Sequence, residues 1–185
     1  MEKSPHALLL PYPVQGHVIP FLELSHRLLD RGFRITFVNT HFTHARVAAT
    51  FTSDDDGGNM RMVAIPDGME EGEDRKKVGR LTDCILRTMP AALEKLISEI
   101  NDGESDGDGG GKISCLIADG AMAFALKVAA KLGIRSAAFR TGSVENWRLN
   151  FQIPKLLEDG VVDADGMFCM LLIAHFQEFN GTLMI

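Results

Sequence analysis

The chain has 185 residues, 45% apolar and 24% charged, which is the size and make-up of one soluble globular domain. Its formal net charge of -6 argues against nucleic acid or an anionic membrane as main partner, since both are recognised by clustered Lys and Arg. Cys84, Cys115 and Cys169 have no C-x-x-C spacing, so neither a disulfide framework nor a zinc site is expected.

In chain order, the polar start Met1–His6 lacks the form of a signal peptide. Ala7 to Leu10 is a short apolar run that reads as a strand, followed by the segment PYPVQGHVIP, Pro11 to Pro20. Phe21, Leu22, Leu24, Leu28 and Leu29 then recur at helical spacing until Gly32 stops the pattern, and Phe33 to Val38 alternates like a strand. This is one βαβ unit, with His17 at the mouth of its helix. Met60 to Ile65 is the next strand, ended by Pro66, Asp67 and Gly68. The basic run Arg75, Lys76, Lys77 and Arg80 follows Glu70, Glu71, Glu73 and Asp74 and reads as a solvated loop or helix start.

Helical spacing returns from Val78 to Ile100, at Leu81, Ile85, Leu86, Met89, Leu93, Leu96 and Ile100, with Pro90 marking a kink or restart. Asn101 to Gly111 is a flexible acidic linker; its aspartates would repel a phosphate despite the glycines. Ile113 to Ala118 is a strand that delivers Asp119 and Gly120 into a turn before a helix from Met122 to Leu132, which Gly133 caps. Arg135 to Phe139 is a fifth strand, Thr141 to Ser143 its loop, and Glu145 to Leu157 a helix interrupted by Pro154. The alternation predicts an α/β fold: an open, doubly wound, mostly parallel Rossmann-like sheet with helices on both faces. The late run Met167 to Phe176 is about half the roughly 20 apolar residues that span a bilayer, so no stable membrane insertion is expected and the cytoplasm is the expected location.

In the strand order 3-2-1-4-5, strands 1 and 4 are neighbours across the switch point, and their following loops bound the ligand crevice. His17 follows strand 1 and Asp119 follows strand 4, so an imidazole and a carboxylate would meet there as base and orienter. Pattern alone leaves open that His17 caps a helix and Asp119 turns the chain. His41 and His44 have i,i+3 spacing, but no Cys, Asp or Glu accompanies them, so they read as exposed histidines and no metal site is expected.

The segments PYPVQGHVIPFLELSHRLLDRGFRITFVNTHF, IPDGM, ISCLIADGAMAFALKVAAKLGIRSAAF and IPKLLEDGVVDADG, in this order, resemble the N-terminal, acceptor-binding half of plant family 1 UDP-glycosyltransferases over residues 6 to 166. The resemblance implies a GT-B fold, whose two Rossmann-like domains face each other. It implies inverting, typically glucosyl, transfer from a UDP-sugar to a hydroxyl of a small hydrophobic acceptor, with the UDP-sugar as co-substrate and no cofactor or metal. By the same resemblance His17 is the general base, Asp119 its partner, and Thr141 a hydroxyl near the sugar donor. Gly16 and Val18, on either side of His17, are the accompanying candidates for substrate binding.

The departures shape the domain expectation: an acceptor-binding domain over 1–166, a divergent tail over 167–185, and no C-terminal UDP-sugar-binding domain. The family's Trp- and His-rich donor box is missing, Trp147 is the only Trp, and no G-x-G-x-x-G or P-loop replaces that box. A truncated chain, inactive alone, is therefore expected. The alternative is a non-catalytic small-molecule-binding or interaction module derived from such an enzyme. A Rossmann-like oxidoreductase is disfavoured because no glycine fingerprint follows strand 1.

Overall fold

A computed structural model of the chain describes residues 4–48, 58–103 and 111–162. Most of the acidic linker and the whole divergent tail lie outside the described residues. Along the chain run β1 (His6–Leu10), α1 (Gln15–Leu29), β2 (Arg34–Thr40), α2 (His41–Ala48), β3 (Met60–Ile65), α3 (Val78–Asn101), β4 (Cys115–Asp119), a 3-10 turn (Gly120–Met122), α4 (Phe124–Lys131), β5 (Arg135–Phe139) and α5 (Val144–Glu158).

The five strands form one sheet in the order β3-β2-β1-β4-β5, every pair parallel. This is the doubly wound order expected from sequence. It follows from the apolar character of β1, whose five residues are all buried: a strand covered on both faces belongs at the centre of a parallel sheet. Alternation divides its side chains between two cores. Leu8 and Leu10 join Val38, Leu116 and Ala118 against Leu81, Ile85, Met89, Leu93 and Ile97 of α3 and Ala125 and Val128 of α4. Ala7 and Leu9 join Ile35 and Phe37 against Val18 and Phe21 of α1 and Val47 of α2.

The chain divides into two compact units, residues 1–141, which hold the whole sheet, and residues 142–185, of which α5 and its exit to Val162 are described. α5 runs unbroken through Pro154, and α3 runs unbroken through Pro90. Each proline therefore costs its helix one backbone hydrogen bond without ending it, because in α3 the apolar stripe before and after Pro90 is anchored on the same core.

Helix α2 has no counterpart in the sequence reading. Among the described side chains of α2 only Val47 joins the core, so there is little apolar period to see. Its start is nevertheless written in T-x-x-T: the Thr40 hydroxyl accepts the Thr43 N–H at 3.2 Å, and the Thr43 hydroxyl accepts the Thr40 N–H at 3.3 Å, a reciprocal cap. His41 is exposed as expected, whereas His44 is half-buried.

Candidate active site

The expected pair meets at the carboxyl edge of the sheet. His17 is the third residue of α1 and Asp119 the last of β4, 102 positions apart in sequence, and His17 Nδ1 lies 2.7 Å from Asp119 Oδ2. Asp119 is 2% exposed and its other oxygen, Oδ1, accepts the Ala121 N–H at 2.9 Å. The carboxylate therefore both caps the 3-10 turn and faces the imidazole: the two alternatives open at the level of pattern are combined in one side chain. A carboxylate only accepts, so Nδ1 carries the proton it shares with Asp119, and in the neutral ring the lone pair is on Nε2.

Two further groups bear on the ring. The Thr141 hydroxyl lies 3.1 Å from the same Nδ1, where it can only share that proton as a second acceptor. Tyr12, buried, sets its ring 5.5 Å from the His17 ring at an angle of 58°. The Tyr12 hydroxyl is anchored on Thr82 Oγ1 at 3.0 Å; Thr82 donates in turn to the Val78 carbonyl at 2.9 Å, so Tyr12 is the donor of the first bond. His17 side-chain exposure is 35%, and no hydrogen bond among the described residues uses its Nε2. A positioned neutral imidazole with one solvent-facing nitrogen can take a proton from a bound hydroxyl.

The flanking candidates divide. Gly16 is exposed and a Cβ there would meet nothing within 4 Å, so open space lies in front of it. Its carbonyl also has no i+4 amide to receive, because that position is Pro20. Val18 is buried in the α1 core, so its side chain seats the helix and only its main chain is available to a ligand.

Sequence reasoning missed Tyr12, whose partner is 70 residues away, although an aromatic between two prolines at a strand exit is a recognisable signal. It also missed Arg140, whose side chain lies across Gly120: a Cβ on that glycine would sit 2.8 Å from the guanidinium Nε. The loop after β3 corrects a further expectation. Arg75 is no solvated charge; it binds Asp67 through Nε at 2.8 Å and Nη2 at 3.3 Å, with only 14% and 6% of the two side chains exposed. The Asp67 carboxylate raises the Arg75 pKa further. The guanidinium also stacks 4.3 Å above the Phe42 ring. Gly68, at φ +79°, presses against α3 so closely that a Cβ would overlap the Thr88 hydroxyl. Lys76, Lys77 and Arg80 are exposed, as expected. Among the described residues no three His, Cys, Asp or Glu side chains converge as metal ligands, and no helix is long and apolar enough to cross a membrane.

No protein-family model matches the chain. Curated relatives do: UDP-glycosyltransferase 83A1 of Arabidopsis thaliana is 40% identical over 167 residues, 88% of this chain and 35% of that protein. By sequence, the chain corresponds to the N-terminal region of plant UDP-glycosyltransferases. The (R)-mandelonitrile beta-glucosyltransferase of Prunus dulcis is 32% identical over 86% of the chain and 33% of its own length. The chain thus spans about a third of the length of these UDP-glycosyltransferase relatives. In structure it is similar to UDP-glucose:anthocyanidin 3-O-glucosyltransferase in complex with UDP, with TM-score 0.71 and 25% identity over 89% of the chain and 36% of that enzyme. Os79 from O. sativa, in complex with U2F and trichothecene, has the same fold, with TM-score 0.63 and 24% identity over 84% of the chain. The five-stranded parallel sheet with its helices matches part of the GT-B fold of these enzymes.

Proposed function

We propose that this region is the acceptor-binding part of an inverting UDP-glycosyltransferase, over residues 1–166, and that His17 is its general base. The observation that carries the reading is the bond from His17 Nδ1 to the buried Asp119 carboxylate, with Nε2 of the partly exposed ring used by no hydrogen bond among the described residues. In the reaction, Nε2 accepts the proton of an acceptor hydroxyl while that oxygen bonds to the anomeric carbon of the sugar. The bond to the UDP oxygen breaks on the opposite face, and its electron pair leaves with UDP. Asp119 holds the ring and stabilises the imidazolium that forms, against the unfavourable field of the α1 N-terminus. Thr141 sits close enough to steady the same nitrogen and to reach toward the donor sugar; Gly16 and the Val18 main chain border the acceptor.

The relatives named for glucosyl transfer support UDP-glucose as donor; the acceptor we propose is a small apolar alcohol or phenol, and the setting the cytoplasm. No cofactor and no metal take part, since one base and electrostatic stabilisation of the leaving diphosphate suffice. These 185 residues contain no loop resembling a diphosphate site, so alone they transfer no sugar. The test is to join residues 1–166 to the remaining part of UDP-glycosyltransferase 83A1 and to assay UDP-glucose with a panel of acceptors, beside the 185-residue chain. Glucoside formed by the fusion and lost in His17→Ala is expected. A fusion that binds acceptor and UDP-glucose but forms product equally well without His17 would overturn the mechanism, and turnover by the 185-residue chain would overturn the division of labour.

A further inference from the structure

The helices that follow β1, β2 and β3 all start at the carboxyl edge of the sheet. Near its start each presents an apolar side chain to solvent: Ile19 on α1, Phe42 on α2 and Val78 on α3. Phe42 differs from the other two in being held by one face. It is the second residue of α2, at the head of β2, the strand that pairs with β1. The exit of β1 leads to Tyr12 and His17, and neighbouring strands lie only about 4.8 Å apart. The ring therefore stands on the same edge as the proposed base.

The guanidinium of Arg75 lies 4.3 Å from the centroid of that ring, and all its N–H groups are engaged elsewhere. Nε and Nη2 donate to Asp67, Nη2 also to the Met69 carbonyl, and Nη1 to the carbonyls of Glu70 and Glu73. A planar fork tied in this way cannot follow a mobile ring, so the ring keeps the place the fork sets. Phe42 nevertheless stays 53% exposed, and no other ring stacks on it among the described residues. One face is taken by the cation; the opposite face is open. Asp67 neutralises Arg75, so the pair has no net charge with which to draw an anion. What suits the open face is an uncharged aromatic ring in an offset stack, and an electron-rich one such as a phenol, because the cation withdraws charge from the ring beneath.

We infer that Phe42, backed by Arg75, is a stacking platform that selects a planar, uncharged aromatic ring in the acceptor; this rests on the reading of the His17 edge as the acceptor side. The platform is fixed before the ligand arrives, so little side-chain freedom is lost on binding. Phe42 thus sets which acceptor is held, while His17 acts on the hydroxyl that reacts.

The test begins with calorimetric titration of the 185-residue chain with naphthol, a planar neutral phenol, and with decahydronaphthol, its ring-saturated counterpart. Phe42→Leu, at an exposed position that folding tolerates, should weaken naphthol binding by about ten-fold, the worth of one aromatic pair with the area it buries. Decahydronaphthol should change by no more than about two-fold, and Phe42→Tyr should restore naphthol binding. Leu86→Ala, at an equally exposed apolar residue further along α3, should alter neither ligand. In the fused enzyme, Phe42→Leu should raise KM for naphthol by a similar factor and leave kcat within about two-fold, whereas His17→Ala acts on kcat. Absence of saturable naphthol binding, equal weakening of both ligands by Phe42→Leu, or the same loss in Leu86→Ala would overturn the platform. His17-dependent transfer with naphthol binding indifferent to Phe42 would also overturn it and leave the general base standing. Selective binding at Phe42 without His17-dependent transfer would uphold the platform and count against the base alone.

Discussion

Two histidines stand at opposite ends of the same sheet, and what separates them is the second ring nitrogen. His6, at the amino edge, is 1% exposed and has both nitrogens engaged, one by the Gly111 carbonyl and one by the Thr36 hydroxyl. His17, at the carboxyl edge, has Nδ1 held by Asp119 and 35% of its side chain exposed. The first ring is a structural crosslink joining β1, β2 and the approach to β4. The second has one nitrogen committed to orientation and the other available to a proton. In a parallel sheet this division has a cause: strand carboxyl ends lead into helix N-termini and loops that face a crevice, whereas the amino ends are closed by returning chain.

The largest expected effect breaks the carboxyl-edge site. In the fused enzyme, His17→Ala should lower kcat by roughly two to four orders of magnitude, the range for a lost general base, with acceptor binding changed far less. Asp119→Asn should also lower kcat, and the double variant should be little worse than His17→Ala alone, because residues acting as a unit are not additive. Steady-state kinetics of the three variants measure this. Losses that multiply would mean that Asp119 serves only the Ala121 cap.

The same truncation at the other edge should act on stability instead. His6→Ala leaves the Thr36 hydroxyl proton without its acceptor and the Gly111 carbonyl without its imidazole donor and opens a void, and about 2–4 kcal/mol should be lost in urea unfolding. Turnover per folded molecule should not change. A fall in kcat at full folding would mean that the two edges are coupled through β1.

The contrast between these two histidines also explains what is legible in the sequence. The pairing of His17 with Asp119 is legible because the apolar runs that mark the strands are plain, and the common doubly wound order, which the sheet has, brings the ends of β1 and β4 together. His6, by contrast, reads as part of a polar terminus. Its burial depends on Ser114 and Gly111, more than a hundred residues later, which close over the start of β1. Arg75 reads as a solvated charge for the same kind of reason: a charge run carries no mark of the Asp67 and Phe42 that enclose one member of it. Periodicity reports which face is apolar, and polar groups buried by distant partners leave no period.

A finer cut at the amino edge is Thr36→Val, which keeps the shape and removes the hydroxyl. It strips His6 Nε2 of its partner and Arg61 Nε of an acceptor, and should cost about 1–2 kcal/mol of stability in urea unfolding. It frees a ring nitrogen, yet should create no base, because that nitrogen stays sealed from any substrate. Retained binding of acceptor with no recovery of turnover when Thr36→Val is added to His17→Ala checks this.

The smallest effect separates positioning by contact from positioning by anchor. Tyr12 touches the His17 ring with its own ring, but the ring is moored by its hydroxyl to Thr82. Tyr12→Phe keeps the ring and its burial. Thr82 retains its bond to Val78, so no buried donor is stranded on α3 and the stability cost should stay within about 1 kcal/mol. Because Asp119 already sets the tautomer and direction of the imidazole, kcat should fall by no more than about three-fold, less than 1 kcal/mol in the barrier. Thermal unfolding and kinetics of the fused variant read both quantities. A loss of kcat beyond ten-fold with stability intact would place the Tyr12 hydroxyl in the chain of groups that hold His17, and the contrast with the fully engaged ring of His6 would narrow accordingly.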